Sequence, residues 1–553
     1  MKQVKRKLRY DRIFIFALGV IIVSGLLFSI VINLFKPKTI PKDAVYMYIS
    51  SFNNEAVLYD LEYNETSSVS RGKKVIIKED KIENNGLFYY KVIYDNNDYY
   101  IKEENLSLEE SDIVKEKNMY VKVPVTVYEN DIDSKISSFI KKGNSVEIVG
   151  YDKLNEDGTV NMYKIKKDDI TGYIYSKYLT LNESDLEIEN EYTKYHENRE
   201  FAYELYGGDS NNLDYSYREK PNFENNIMPT EAKTLYLTGS KWILSDIDKY
   251  IDLAKNSGIN SFVVDIKDGY MAYESDVAKK YSITNYKSYS NTKEEYKNAI
   301  NKLKNAGFYV IGRIVVFNDS NFAKDNPNET ISNTSWVSAY SRLAWEFNVL
   351  LAKEAVSEFG FNEIQFDYVR FPEASYSYSK NNYNFKNKYN EDKAEAIQNF
   401  LIYATDELHK LNVYVSADVF GECVGTYVTA YGQYWPAISN VVDVISAMPY
   451  PDHFSKGSYG ISIPWEKPYS LMKNWASYAV KRQTEIPSPA RVRTWIQAYD
   501  AIKSPYITYD ASMIEYQIKG LYDAGLSGGF ITWNGGASFN KYQAISSAFG
   551  KDY

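Results

Sequence analysis

The sequence predicts an α/β protein whose largest domain is a (β/α)8 barrel of the TIM type, and three observations support this. From Thr234 onward, short apolar runs alternate with amphipathic segments, which is the pattern of parallel βα units. Eight such runs occur, as a closed barrel of this type requires. The first run is not followed by a glycine-rich phosphate turn, which an open doubly wound sheet would need.

The eight predicted strands lie in a domain that we place at residues 231–553. They are 234–237, 261–266, 309–316, 363–367, 413–418, 443–447, 491–496 and 528–532. Helical stretches separate them; in 391–410, for example, Ala394, Ile397 and Leu401 fall on one face. Because all eight βα units lie there, we expect this domain to fold on its own.

The composition restricts the partners of the protein. The 553 residues carry a net charge of −9, and no dense basic face occurs beyond the first dozen residues, so nucleic acid is not expected as a partner. The single cysteine, Cys423, excludes an internal disulfide framework. Length alone suggests about three or four domains.

The amino terminus predicts a membrane anchor. Residues 1–12 form a basic tail with six Lys or Arg side chains, and the uncharged apolar run 13–35 follows. About 20 apolar residues span a bilayer as a helix, and a basic flank stays in the cytoplasm. A cleaved signal peptide has a shorter apolar core and a small-residue cleavage site, which the lysines and proline after Phe35 do not provide. We expect an uncleaved single-pass anchor with the remaining domains outside the cell.

Two small domains, 44–107 and 118–181, share one sequence pattern. The matching positions are Tyr90 to Asp95, Tyr100, Ile101 and Leu106 in the first, and Tyr163 to Asp168, Tyr173, Ile174 and Leu179 in the second. Short alternating strands with Asn, Asp and Gly turns predict small antiparallel barrels. Residues 182–230 are acidic, rich in Asn and Tyr, and without apolar periodicity, which predicts a linker that packs in part on its neighbours.

The second of these domains resembles bacterial Src-homology-3-like (SH3-like) domains, which are often cell-wall binders. The resemblance rests on Gly172-Tyr173-Ile174 followed by Tyr178-Leu179. The first copy is degenerate, since Asp98-Tyr99-Tyr100-Ile101 stands where Gly-Tyr-Ile is expected. Two interpretations remain open: attachment to wall glycan, or a spacer that lifts the barrel from the membrane.

Polar and aromatic side chains follow the carboxyl ends of most of the predicted barrel strands. They are Asp265, Asp268, Arg313, Asp367, Arg370, Asp418, Glu422, Tyr450, His453, Trp495, Gln497 and Trp533. Each alone can be explained as a cap or a turn residue. The carboxyl ends of the strands form the active face of such a barrel, however, so we expect these side chains to form one site. Carboxylates with interleaved aromatic rings are what a sugar site needs.

Residues from about 234 to 537 resemble the bacterial family of glycoside hydrolases called domain of unknown function 4015. The most specific motif is Glu363-Ile364-Gln365-Phe366-Asp367-Tyr368-Val369-Arg370-Phe371-Pro372. Supporting motifs are Asp265-Ile266-Lys267-Asp268, Ala417-Asp418-Val419-Phe420-Gly421, Gly432-Gln433, Tyr450-Pro451 with His453, Trp495 with Gln497, and Trp533-Asn534. The chain departs from the family pattern at Gly535-Gly536 and Met448-Pro449. The resemblance implies a glycosidase, an activity that is itself inferred for the family.

We therefore expect a membrane-anchored extracellular glycosidase that acts on a cell-wall, peptidoglycan-type or exopolysaccharide glycan. Asp367 is the expected nucleophile or base, Asp418 the leading acid with Glu422 as its rival, and Asp265 helps to set their charge. The other polar and aromatic side chains at the strand ends are expected to bind substrate. A carboxyl separation near ~5 Å would imply retention of configuration, and ~6.5–9.5 Å inversion.

No cofactor or metal is expected. The chain has only three histidines and no His-Glu-x-x-His motif, and a divalent ion between Asp265 and Asp268 is the weaker interpretation. The alternative class of function is a non-catalytic surface barrel that binds glycan as an adhesin or scaffold. A carbohydrate deacetylase or transferase is a third option, but the His and Asp metal triad of a deacetylase is not visible.

Overall fold

The computed structural model describes residues 44–51, 55–114, 117–153, 155, 159–186, 204–332 and 334–551. The predicted basic tail and membrane anchor, 1–12 and 13–35, lie outside these residues. Within the described ranges, no helix is both long and apolar enough to cross a membrane. The chain divides into two compact units, residues 1–118 with 147–166, and residues 119–146 with 167–553.

The amino-terminal region is all-β, as the alternating sequence pattern predicts. Its strands, numbered β1 to β14 in chain order, are Tyr46–Ile49, Glu55–Tyr59, Glu65–Ser70, Lys74–Asn84, Leu87–Tyr94, Asn97–Lys102, Leu106–Ser107, Asn118–Val121, Val125–Tyr128, Ile136–Ile140, Ser145–Tyr151, Met162–Lys167, Ile170–Tyr175 and Leu179–Thr180. In the first sheet the order is β3-β2-β6-β5-β4-β1-β7. Alternate side chains such as Val75, Val92 and Ile101 point inward and form an apolar core that is closed to water.

The two predicted repeats use the same strand pairings. In the first repeat β3, β2 and β6 are neighbours, β5 pairs with β4, and β1 pairs with β7. The equivalent strands of the second repeat, each seven places later in the chain, show the same pairings: β10 with β9 and β13, β12 with β11, and β8 with β14. The matched residue offsets in the sequence therefore reflect a repeated all-β architecture.

A closed parallel sheet forms the centre of the second unit. Its strands, β15 to β23, are Ala232–Leu237, Ser261–Lys267, Tyr309–Val315, Glu363–Asp367, Tyr414–Phe420, Val444–Met448, Arg491–Val492, Thr494–Gln497 and Gly529–Trp533. The order is β21-β20-β19-β18-β17-β16-β15-β23-β22. The two end strands, β21 and β22, are the halves of the predicted seventh strand, separated only by Arg493. The sheet is thus closed apart from this interruption, and it fits the predicted TIM-type barrel.

Helices connect the barrel strands. They are Lys241–Leu244, Ile247–Ser257, Asp276–Tyr281, Ile283–Tyr286, Lys293–Asn305, Ser320–Asp325, Arg342–Phe359, Ser375–Lys380, Lys393–His409, Trp435–Ser439, Pro468–Gln483, Ala511–Asp523 and Phe539–Ile545. Local sequence sets their starts; Thr292 and Glu295, for example, form a capping box that begins Lys293–Asn305. The predicted helix 391–410 is observed as Lys393–His409.

The amino-terminal end of the barrel is filled by buried side chains. Arg493 Nη1 lies 2.9 Å from Glu363 Oε1, both side chains are fully buried, and Tyr309 donates a hydrogen bond of 3.0 Å to Glu363. Inside the barrel, the rings of Tyr309 and Tyr414 belong to a buried cluster with Tyr236, Tyr450 and Trp495, which we call the aromatic layer. Because this end is closed, the open face of the barrel lies at the carboxyl ends of the strands.

The described second half of the predicted linker packs against the barrel. The linker prediction covers 182–230, and within it Phe223 and Met228 pack on the aromatic layer inside the barrel. The Asn226 side-chain amide donates hydrogen bonds of 2.8 Å to the carbonyl groups of both Asn362 and Asn412. The part of this segment that precedes β15 is therefore built into the barrel and is not a free spacer.

Candidate active site

Arg313 on β17 is surrounded by three of the predicted acids. Its Nη1 donates to Asp265 Oδ1 at 2.6 Å and to Asp268 Oδ2 at 3.0 Å. Its Nη2 and Nε donate to Asp367 Oδ2 at 2.5 and 3.1 Å. The strand register explains the cluster, because Asp265 is opposite Arg313 and Asp367 is opposite Val315, at the same end of the sheet. One guanidinium group thus serves carboxylates from two neighbouring strands.

Asp418 on β19 is the deepest of the acids. Its side chain is fully buried, and Trp495 Nε1 donates a hydrogen bond of 2.8 Å to Oδ1. Its Oδ2 has no hydrogen-bond partner among the described residues and lies 3.9 Å from Arg313 Nε. Asp418 is therefore within ion-pair distance of the cation but is not hydrogen-bonded to it.

The buried acids differ in their protonation. Burial raises the pKa of Asp418 well above its usual value, and the neighbouring charge of Asp367 adds to this effect. Burial also raises the pKa of Asp265 to about 6, although the charge of Arg313 opposes the shift. The raised pKa of Asp418 favours its protonated form, and this group lies next to the Asp367 carboxyl group, which is hydrogen-bonded to Arg313. Such a pair is what acid and base chemistry by two carboxyl groups requires.

Aromatic rings form the wall of the site. The Arg313 guanidinium lies 5.6 Å from the Tyr236 ring and 5.5 Å from the Trp533 ring. Trp495, expected from sequence to bind substrate through its ring, is only 1% exposed and instead acts as the hydrogen-bond donor to Asp418. Trp533 is partly exposed and is the ring that a sugar can reach.

Tyr236 belongs to the site and was not among the residues predicted for it. Its hydroxyl donates a hydrogen bond of 2.6 Å to Asp265 Oδ2, and its ring packs 4.8 Å from that of Trp533. The available signal was its inward-pointing position one residue before the end of strand β15. A tyrosine at that position is equally typical of a core residue, so sequence alone did not single it out.

Arg370 does not pair with Asp367, although the two residues are close in sequence. Arg370 Nη2 lies 3.0 Å from the exposed Glu373 carboxylate. Its guanidinium packs on aromatic rings, 4.4 Å from the centre of Phe420 and 4.9 Å from that of Tyr368. The cation that binds Asp367 is instead Arg313 on the neighbouring strand.

The remaining predicted residues have partners outside the acid cluster. Gln497 accepts a hydrogen bond of 3.2 Å from the backbone N–H of Asp452. Tyr450 is buried, and the half-exposed His453 packs with its ring 5.0 Å away. Glu422 is exposed on the loop after β19 and accepts a hydrogen bond from the Tyr431 hydroxyl. These four side chains therefore surround the site or support its loops.

The electrostatics at Asp265 and Asp268 are dominated by arginine. Both carboxylates bind the same nitrogen, Nη1 of Arg313, so a guanidinium already supplies positive charge where a divalent ion was considered. In the described parts of the chain, no group of three or more His, Cys, Asp or Glu side chains is arranged to hold a metal ion.

Comparisons with known proteins give a family and several distant folds. Residues 234–539 match the family called domain of unknown function 4015, which is described as "Putative glycosyl hydrolase domain". No curated protein matches the chain.

Three solved structures illustrate the structural similarity. A hypothetical protein from Ruminiclostridium thermocellum ATCC 27405 is 33% identical, and the match covers 34% of this chain and 97% of that chain with a TM-score of 0.28. The glycoside hydrolase domain of PgaB (BpsB) from Bordetella bronchiseptica is 12% identical over 58% of this chain and 99% of that chain, with a TM-score of 0.41. A Flavobacterium johnsoniae chitobiase is 11% identical over 57% of this chain and 48% of that chain, with a TM-score of 0.40. All three TM-scores are below 0.5, so the function is argued from the family and the site.

Proposed function

Because this chain belongs to the family of domain of unknown function 4015, described as "Putative glycosyl hydrolase domain", we propose that it cleaves glycosidic bonds with the carboxyl groups of Asp367 and Asp418. One observation carries the assignment of these residues. Asp418 is a buried acid with a raised pKa and a free Oδ2, and it lies next to the arginine-bound carboxylate of Asp367.

The two carboxyl groups are held in different ways, which suits two different roles. Asp367 Oδ2 accepts from Arg313, and Oδ1 accepts a hydrogen bond of 2.6 Å from the backbone N–H of Tyr368, so the ionised group is fixed in direction. We assign it as nucleophile or base. Asp418 is held only through Oδ1, and its protonated Oδ2 is the atom that can pass a proton to the leaving glycosidic oxygen.

The geometry favours retention of configuration. Asp367 Oδ2 lies 3.1 Å from Arg313 Nε, and Asp418 Oδ2 lies 3.9 Å from the same nitrogen. The two oxygen atoms are therefore no farther apart than the sum of these distances. For these two oxygen atoms the bound lies near the lower end of the ~6.5–9.5 Å range of inverting enzymes and allows the ~5 Å spacing of retaining enzymes. We therefore assign a covalent glycosyl intermediate on Asp367, with water as the second acceptor.

A cell-wall or exopolysaccharide glycan is the proposed substrate, and the outer face of the membrane the proposed location. Support comes from the basic tail and apolar run at 1–35 and from the all-β repeats that resemble SH3-like domains. Protease added to intact cells should remove the region after Lys36. Recovery of the undigested protein from the cytosol would contradict this topology.

The test of the activity is the release of reducing ends from purified wall and exopolysaccharide fractions. Asp367→Asn should lower the rate on a cleaved glycan by about 10³-fold or more while the variant still folds and melts cooperatively. Glu373→Gln is the matched control, since it removes a carboxylate that is largely exposed near the same strand end. Near-normal turnover by Asp367→Asn would remove Asp367 from the mechanism.

The alternative of a non-catalytic glycan-binding barrel is favoured by one feature of the site. Asp265 and Asp418 are almost completely buried around Arg313, as in an ion-pair network that only stabilises the barrel. If no fraction is cleaved, yet oligosaccharides bind and Trp533→Ala abolishes their binding, this second function replaces the first.

A further inference from the structure

A cavity of about 430 Å³ lies in the second unit, away from the acid cluster. It is lined by residues 122–124, 142 and 177–178 of the second repeat, by the segment 211–220 and by the end of the helix Lys393–His409. His409 binds Asp443, which directly precedes β20, so the cavity lies beside the amino-terminal ends of the barrel strands. The catalytic acids lie at the opposite, carboxyl ends.

Cationic side chains outnumber acidic ones in this cavity. The cationic residues are Lys122, Lys142, Lys177, Arg218 and Lys220, and the acidic residues are Asp214, Glu219 and Asp406. Two of the cations are neutralised, because Lys177 lies 2.5 Å from Asp406 and Arg218 lies 2.6 Å from Asp214. Lys122, Lys142 and Lys220 have no carboxylate within ion-pair distance in the described part of the chain, and with Glu219 they leave the lining with a net positive charge.

Lys220 shows that this charge is partly desolvated. Its Nζ donates to the backbone carbonyl groups of Ser439, Asn440 and Val442 at 3.3, 3.2 and 2.6 Å. Burial lowers the pKa of Lys220 to about 8. An anion in the cavity would supply the negative charge that the carbonyl groups provide only in part.

Aromatic surface accompanies the charges. The Tyr178 ring lies 5.0 Å from Lys177 Nζ and 5.3 Å from the Arg218 guanidinium. Tyr217, also in the lining, is 75% exposed. The buried Tyr178 ring thus packs on the two paired cations, while the exposed Tyr217 ring and the unpaired lysines share the same lining and suit a sugar that carries a negative group.

We propose that this cavity binds an anionic oligosaccharide, with Lys122 and Lys142 contacting its carboxylate or phosphate groups and Tyr217 its sugar face. The site is remote from the acid cluster, so a bound polymer leaves the catalytic face open. Binding here would hold the protein on an acidic wall polymer, and it does not depend on the glycosidase chemistry.

The test measures binding by the full chain, purified in detergent, with isothermal titration calorimetry. The probes are a galacturonic acid tetrasaccharide, a glycerol phosphate tetramer and a neutral chitin tetrasaccharide. The first two separate carboxylate from phosphate as the recognised group, and the third measures binding that needs no charge.

Lys122→Met with Lys142→Met should weaken binding of the acidic probe about tenfold at moderate salt, as expected for the loss of two partly screened charge contacts. The matched control is Lys255→Met with Lys324→Met, which removes the same charge from exposed lysines elsewhere in the second unit. Asp367→Asn should bind as the wild type does, so that failure of the activity and failure of this site are distinguishable.

Three results would overturn the proposal: no binding of either acidic probe, equal binding of the neutral one, or an equal loss in the control variant.

Discussion

Asp418 Oδ2 and Arg313 Nε lie 3.9 Å apart, beyond hydrogen-bond distance, although both side chains are buried inside the barrel. The guanidinium directs its donors to Asp265, Asp268 and Asp367 instead. Asp418 therefore accepts no hydrogen bond from the guanidinium, and the charge of Arg313 offsets only part of the effect of burial, which raises the pKa of Asp418.

The proton donor can be identified with leaving groups of different basicity. Asp418→Asn should lower kcat on a natural glycan by about 10²–10⁴-fold, because the leaving oxygen needs a proton. A dinitrophenyl glycoside of the same sugar leaves without protonation, so kcat/KM, which reports the first step, should be nearly unchanged, while kcat falls because Asp418 also activates the water of the second step. Glu422→Gln is the matched control and should behave as the wild type on both substrates. The reverse result would make Glu422 the acid.

The pH dependence of stability should report the proton on Asp418. Its native pKa is raised, so its contribution to stability is fully present below the unfolded value near ~3.9 and is lost as pH rises through the native value. Asp265, with a pKa of about 6, acts in the same direction between about pH 4 and 6.

Asp418→Asn removes one carboxyl group whose pKa is raised in the folded protein. Above pH 6 the free energy of unfolding of the variant should therefore fall less steeply with pH than that of the wild type, by up to about 1.4 kcal/mol per pH unit. Melting temperatures measured from pH 5 to 9 test this. Glu373→Gln, at an exposed carboxylate, should keep the wild-type slope. An unchanged slope in Asp418→Asn would mean that Asp418 is ionised in the folded protein.

Removal of Arg313 should destabilise the barrel, and more so at high pH. Arg313→Met leaves Asp265 and Asp367 buried without their cation, which costs about 3–5 kcal/mol. Both acids can take up protons at low pH, so urea unfolding should show a smaller loss at pH 5 than at pH 8. Arg313→Lys keeps the charge but lacks the forked donors of the guanidinium. Its stability should therefore lie between that of the wild type and that of Arg313→Met. A loss that does not vary with pH would indicate a packing effect.

The barrel could be predicted from the sequence because each strand is marked locally. The predicted strand at 363–367 has the same bounds as β18. Most ends of the other predicted strands lie within two residues of the observed ends. The break in the seventh strand at Arg493 and the buried ion pair of this residue with Glu363 on another strand were not predicted. Local patterns carry no information on such pairs.

The acids of the site were predictable, but their partners were not. Strand ends identified Asp265, Asp367 and Asp418, because parallel strands bring their carboxyl ends to one face. Arg313 and Asp367 are 54 residues apart, and only the register of neighbouring strands joins them. Arg370, three residues from Asp367, was the nearer candidate in sequence and points elsewhere. Proximity along the chain is thus a poor guide to ion pairs at a strand end.

The segment before β15 should be needed for full stability of the barrel, although the sequence predicts a self-sufficient domain from about residue 230. A fragment 231–553 should be less stable than a fragment 204–553 by about 3–5 kcal/mol. It loses the partial burial of Phe223 and Met228 and the two hydrogen bonds of Asn226 to the carbonyl groups of Asn362 and Asn412.

Urea unfolding of the two fragments measures this difference. Within 204–553, Met228→Ala should lower the free energy of unfolding, while Ile227→Ala, at a side chain that is 75% exposed, should leave it nearly unchanged. Such a contrast between adjacent residues would show that packing on the aromatic layer, and not chain length, stabilises the barrel. Equal stability of the two fragments would mean that the segment only covers a barrel already complete at residue 231.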